Sequence, residues 1–412
     1  MAFRAVVDSK TSIPFFIGFL ILANFYFLPH LEKTPRVSDF LGVAAYIWVF
    51  WRLIELKLPR RIFCLIVLFF LFFLIWAIIA VANGWTTTLV LSVRWLLALP
   101  VGYAVYEVLR SPDMRCSFIW GLFCGAAFNV AVLAIQFFGY KELTQDMGLA
   151  AQDSALCYIY GTYRTPGMHG HPNAAMAVVS LIVPASLWLT FRENKGPLPL
   201  FCGFILLYCG GMFTLTRAAV VVSLLTMVMI LLVGRMLSGR WARVKVCLVL
   251  LLLTAASYCF GPPGGWERWL DTSNLEVNFG ARFGTNAEGL AGLISNPFGL
   301  GWEATKEGIH IGGVPFAAHN AFIHAGLVFG LPFALVTFVP LAALVVGFFG
   351  RHISFANLLA LHFFGLCFWE EHFNNPSMII LCSWLITYWA LSLRRPLALP
   401  SFFLLRRRVQ TT

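Results

Sequence analysis

Charge is scarce in this chain of 412 residues: only 11% of them are Asp, Glu, Lys or Arg, where a soluble domain carries about 25%. That scarcity excludes a cytosolic enzyme and a disordered tail protein. Cysteine pairing is missing too. The ten cysteines include no C-x-x-C pair, and Cys64, Cys124, Cys202, Cys209, Cys247, Cys259, Cys367 and Cys382 fall in apolar runs, where they read as small apolar residues. Only Cys157 stands in an outer loop, so no disulfide scaffold is implied. There is no low-complexity segment, no internal repeat, and no D-x-D, H-E-x-x-H or Asp-rich cluster of the kind that holds a metal ion.

Apolar side chain is what abounds. Hydrophobic residues make up 60%, with 40 Phe, 14 Trp and 11 Tyr, and the mean hydropathy is +0.82. No soluble core buries that much, so the chain reads as an all-α polytopic membrane protein. With roughly 20 residues per crossing, the sequence holds about twelve transmembrane helices. They lie near 13–29, 38–55, 62–83, 87–106, 117–139, 174–191, 198–215, 217–234, 244–261, 328–349, 353–371 and 376–393. Two intervening stretches, 140–173 and 262–316, are too long for turns and lack a Ser/Gly linker composition. The chain thus divides into helices one to five over 1–139, a loop over 140–173, helices six to nine over 174–261, a large loop with short helices over 262–316, and the last three helices with a basic tail over 317–412.

The net charge of +11 is a topology signal. With the N-terminus placed inside, nineteen of the 29 Lys and Arg residues fall in inner segments and eight in outer ones. Scattered over short segments, they make no nucleic-acid footprint. The first span has no cleavage site after it and reads as a retained anchor. Both termini are then cytoplasmic, and both long loops face outward, together with Arg164, His169, His171, Arg217, Arg282, His319 and the Glu370-Glu371-His372 run. An active site, if there is one, opens outward.

Several of these residues carry two readings. Arg217, in Phe213-Thr-Leu-Thr-Arg217, stands where one span stops and another begins; it either snorkels or grips a lipid diphosphate with planar bidentate donors. Arg282 precedes a short interfacial helix expected over 285–295 and stopped by Asn296-Pro297. Arg282 is free to pair with a nearby Glu. His319-Asn320 starts an apolar helical run, where a histidine is either structural or a general base. His324 lies about 140° further round that helix, so the two form no ligand pair. His169-Gly-His171 has no third ligand nearby and reads as a turn docking on the membrane face. Glu370 and Glu371 end the eleventh span: one of them can neutralise an arginine or orient an imidazole, or both reach headgroup water. Arg94 lies about 12 Å into its span and either snorkels or lines a cavity.

Taken in order, Gly167-Met-His-Gly-His-Pro-Asn173, Thr216-Arg-Ala218, Arg282 with Asn296-Pro-Phe-Gly-Leu-Gly301, His319-Asn320, and Glu371 ahead of Asn375-Pro376 resemble the O-antigen ligase and polymerase superfamily of bacterial inner-membrane glycosyltransferases. The resemblance covers roughly 160–380; the first 140 residues match only in hydropathy. It implies a GT-C-like helical fold, no cofactor and no metal. The implied reaction transfers a glycan from undecaprenyl diphosphate to lipid A–core oligosaccharide on the periplasmic face, with inversion. Carried over by position, Arg217 and Arg282 would hold the departing diphosphate. His319 would serve the acceptor hydroxyl as base or hydrogen-bond partner. Arg164, His171, Asn320, Glu371 and Arg94 are further candidate substrate contacts. Implied partners are the lipid-linked donor, the lipid A–core acceptor and membrane lipids, with no nucleic acid.

Three alternatives remain. A polymerase of the same fold differs only in its acceptor, and compact length with the His-Asn motif favours the ligase. A transporter or flippase would show inverted repeats and midplane charges. A protein O-oligosaccharyltransferase would carry a longer C-terminal segment.

Overall fold

Lipid offers no hydrogen-bond partner, so an apolar run that enters it must satisfy its own backbone, which a helix does. The computed structural model describes residues 9–26, 35–55, 57–149, 158–159, 162–233, 272–308, 310–311, 314–315, 318–350, 352–370 and 372–393, with isolated positions between 244 and 255. Its helices in chain order are α1 (Ser9–Leu22), α2 (Val37–Ile54), α3 (Arg60–Ala82), α4 (Thr86–Leu109), α5 (Pro112–Phe137), α6 (Lys141–Asp146), α7 (Pro172–Ser180) and α8 (Ile182–Phe191). They continue as α9 (Leu198–Thr214), α10 (Arg217–Val233), α11 (Thr272–Ser295), α12 (Trp302–Gly308), α13 (Ala321–Phe329), α14 (Leu331–Phe348), α15 (Phe355–Trp369) and α16 (Pro376–Ser392). Two antiparallel pairs of two-residue strands, Tyr158–Ile159 with Thr162–Tyr163 and His310–Ile311 with Val314–Pro315, are the only paired strands among the described residues.

Six helical segments are long and apolar enough to cross a membrane: α2, α3, α4, α5, the joined α7–α8 and α14; α1, α9, α10, α15 and α16 are shorter apolar helices. The protein is a helical, membrane-embedded chain. Helices occupy every expected segment except that near 244–261, which lies largely outside the described residues, as does the tail over 394–412.

Two local expectations change. The short helix expected over 285–295 is the last part of α11, which begins at Thr272 and carries Arg282 in its middle rather than ahead of it. The span over 174–191 breaks at Leu181, because Pro184 has no N–H to bond the carbonyl of Ser180.

Burial sorts the bundle into layers. The joined α7–α8 is 94% buried, whereas α2 and α3 are each 22% buried and turn Phe40, Ile47, Phe50 and Leu68 outward. The former is the central helix; the latter two present an apolar face of the kind lipid covers. Inside, Trp95 of α4 stacks on Phe73 of α3 and meets Phe333 of α14 and Phe373 edge-on.

α1 and α5 approach through glycine. A Cβ at Gly121 would stand 2.1 Å from the Phe15 carbonyl oxygen, and one at Gly125 would stand 2.7 Å from that of Phe19. Gly121 and Gly125 are four apart on one face of α5, the small-residue spacing that lets membrane helices touch backbone to backbone. Gly121→Val therefore pushes α1 off α5, with an expected loss of about 1–3 kcal/mol. Thermal unfolding in detergent, compared with Gly280→Ala at an open helical position, reads it; equal melting temperatures would sink the close-packing account.

Candidate active site at one end of the helix bundle

The turn between α9 and α10 spans only Leu215 and Thr216, and it is made by Leu215 in the left-handed region at φ 50°. Ending α9 there leaves its last carbonyls without helical partners. The segment after the first strand pair supplies them: Thr165 N–H and Oγ1 donate to the Phe213 carbonyl, and Arg164 Nε donates to that of Thr214 at 2.9 Å. Arg164 Nη2 also donates to Thr216 Oγ1 at 2.9 Å and to Asn173 Oδ1 at 2.7 Å. Arg164 is 3% exposed, so it acts on the loop and the junction rather than on a ligand at the surface.

From Asn173 the network passes to Glu370. Asn173 Nδ2 donates to Glu370 Oε1 at 2.8 Å, and Arg282 Nη2 donates to the same oxygen at 2.7 Å. Arg282 Nη1 donates to the Trp369 carbonyl at 2.8 Å, satisfying the end of α15. The other carboxylate oxygen, Oε2, lies 3.5 Å from His319 Nδ1. Burial alone would raise the Glu370 pKa, but the His319 contact and the Arg282 charge outweigh it and hold it down to about 2. Glu370 is thus a fixed anion to which α7, α11, α15 and the start of α13 are all tied.

His319 owes its place to its neighbour. Asn320 is the N-cap of α13, its Oδ1 accepting from the N–H groups of Phe322 and Ile323 at 3.0 and 3.2 Å. His171 caps α7 likewise, its Nδ1 accepting from Asn173 N–H at 3.2 Å, so the neutral ring carries its proton on Nε2. Burial, with Arg164 and His319 nearby, lowers the His171 pKa against the pull of Glu370. His372 is pushed down to about 4, by burial first.

Exposure separates the roles. The side chains of Arg282 and His319 are each 26% exposed, and that of Glu370 9%. A ligand at this face meets the guanidinium and the imidazole, with the carboxylate beneath them. Of the five N–H donors of Arg282, two are engaged among the described residues. Arg217, partly buried, is the first residue of α10, next in chain to Thr216.

Other expected residues fall elsewhere. Glu371 lies outside the described residues; among those described, the carboxylate at the hub is Glu370. Arg94 stands apart from the hub, its Nε 3.6 Å from Asp39 Oδ1 on α2, and lines a small cavity with Ser38, Asp39 and Pro376. His169 does not dock on the membrane face. It is buried, its Nε2 donating to Asn129 Oδ1 at 3.1 Å and its Nδ1 accepting from Asn375 Nδ2 at 3.2 Å, and burial pushes its pKa down to about 3. Both ring nitrogens are used by neighbours, which makes it a tie between α5 and the start of α16.

Asn173, Thr216 and Thr165 belong to the network without having been singled out for a role. Their only sequence signal was position beside Arg164, His171 and Arg217. Glu303 was likewise unassigned: its carboxylate accepts from the N–H of Thr87 and Thr88 and from Thr88 Oγ1, and so docks α12 on the start of α4. Among the described residues, no group of three or more His, Cys, Asp and Glu side chains converges as a metal site. Neither protein-family models nor curated proteins give a match to this chain.

Proposed function

We propose that this protein is a glycosyltransferase of the O-antigen ligase type, moving a glycan from undecaprenyl diphosphate to lipid A–core oligosaccharide. On this reading the chain crosses the bacterial inner membrane about twelve times with a GT-C-like arrangement. Both termini are cytoplasmic and the site faces the periplasm. The observation that carries the reading is the convergence of Arg282 and His319, from different elements, on the buried Glu370 carboxylate.

The chemistry follows from that arrangement. A diphosphate is already a good leaving group, and guanidinium donors fixed at the surface stabilise the charge that builds on it. Arg282 supplies N–H donors not engaged among the described residues, and Arg217 a second cation. The acceptor hydroxyl oxygen attacks the anomeric carbon as the bond to the diphosphate oxygen breaks, which inverts the centre. The hydroxyl proton passes to His319 Nε2. Nδ1 faces Glu370 Oε2, whose negative charge stabilises the imidazolium. Positioned arginines stand where other enzymes use a divalent ion, and EDTA is expected to leave the reaction intact.

The test supplies purified protein in detergent and EDTA with lipid A–core and undecaprenyl-diphosphate glycan together. Glycan on lipid A–core with wild type, lost in His319→Ala, Arg217→Ala and Arg282→Ala, is the expected result. Longer lipid-linked glycan alone would make the protein a polymerase of the same fold. Neither product with competent substrates would overturn the enzyme reading.

A further inference from the structure

The other end of the bundle holds a feature that does not depend on the transfer reading. α16 starts beside His169 at Asn375 and runs to Ala390, about 21 Å further by helix rise. There Arg60, Arg61, Cys64, Leu65 and Leu68 of α3, with Ala390, line a cavity of about 450 Å³. Arg60, Arg61, Cys64 and Leu68 are exposed, so the cavity opens at the flank of the bundle. Its rim is cationic and its floor apolar.

Several basic side chains at this end have carboxylate partners: Arg52 and Arg110 with Glu107, Lys57 with Glu55, and Arg115 with Glu193. Arg60 and Arg61 form no ion pair among the described residues. Arg61 Nη1 reaches only the Ala390 carbonyl, at 3.4 Å. The chain's own continuation brings no anion either, since residues 394–412 contain five arginines and no Asp or Glu.

We propose that this groove binds an anionic phospholipid of the bilayer, with its phosphate between Arg60 and Arg61 and an acyl chain along Cys64, Leu65 and Leu68. Two adjacent guanidinium groups match phosphate oxygens. Leu68 lies about 10 Å along α3 from Arg61, so headgroup and chain are both met by one helix face. A free phosphate would leave the apolar floor uncovered.

Native mass spectrometry of the full chain with phosphatidylglycerol and phosphatidylcholine of matched acyl chains tests this. Each arginine beside an anionic headgroup contributes about a fivefold preference, so phosphatidylglycerol is expected to bind roughly thirtyfold more tightly. The double variant Arg60→Gln/Arg61→Gln should bind the two lipids alike. Leu68→Trp should weaken phosphatidylglycerol binding although both arginines remain. Arg110→Gln, which removes a paired arginine at the same end, should leave the preference unchanged. Millimolar inorganic phosphate should not displace the lipid. Equal binding of the two lipids by wild type overturns the proposal, as does a preference that survives the double variant. So does an equal loss in Arg110→Gln, which would mean diffuse charge, or displacement by free phosphate.

Discussion

Replacing Glu370 with Ala is expected to lower stability by about 2–3 kcal/mol, because it removes the acceptor shared by the half-buried Arg282 guanidinium and the Asn173 amide. Arg282 would then face only the Trp369 carbonyl, and Asn173 Nδ2 would lose its acceptor. Transfer activity should fall at least about 100-fold, the scale on which positioned acid–base groups act. Glu370→Gln separates shape from charge. Its amide oxygen still accepts from Asn173 and Arg282, so the expected stability loss is about 1–2 kcal/mol. The charge facing His319 is gone, so activity should still drop and its pH profile should shift to lower pH. Melting curves in detergent, read beside the transfer assay, distinguish the two variants. Full activity in Glu370→Gln would remove the carboxylate from the proton-handling scheme.

A second large effect is expected from mild acid. Burial, with Arg36 nearby, holds His169 at about 3, and burial holds His372 at about 4, against an ordinary value of 6.5. Both folded values are depressed, so the unfolded chain takes up these protons first. The stabilisation is fully present above pH 6.5 and is lost as pH falls toward 3–4. At pH 5 each histidine costs about 2 kcal/mol relative to pH 8, or about 4 kcal/mol together. Glu370, held at about 2 against 4.5, adds a further loss only below pH 4.5. The melting temperature should therefore fall steeply between pH 7 and pH 5, before any carboxylate titrates. His169→Asn should remove about 2 kcal/mol of that loss. A melting temperature constant over this range would contradict the buried neutral state of both rings.

The helices were legible because long apolar runs leave lipid-exposed backbone no other conformation. The first half of α11 was not, since Thr272-Ser-Asn-Leu-Glu-Val-Asn278 is polar and glycines at 280, 284, 289 and 292 argue against helix. Arg282, His319 and His171 were each singled out in the sequence, but the carboxylate near all three was hidden. Nothing in the sequence brings Glu370 forward; its place at the end of α15 puts it at the hub. Arg164 stood as a candidate substrate contact because nothing local announces that α9 ends in bare carbonyls beside it. Gly121 and Gly125 had a readable spacing, but which helix they meet is a fact of tertiary packing.

The ties that hold this face reach across about half of the polypeptide. Asn173 waits 197 residues for Glu370, and His169 waits 206 for Asn375. During synthesis, the loop that carries Arg164 and His171 emerges long before either partner exists. The proposed transfer would switch on only after α16 has entered the membrane, so a chain truncated anywhere before Asn375 would be inert rather than partly active.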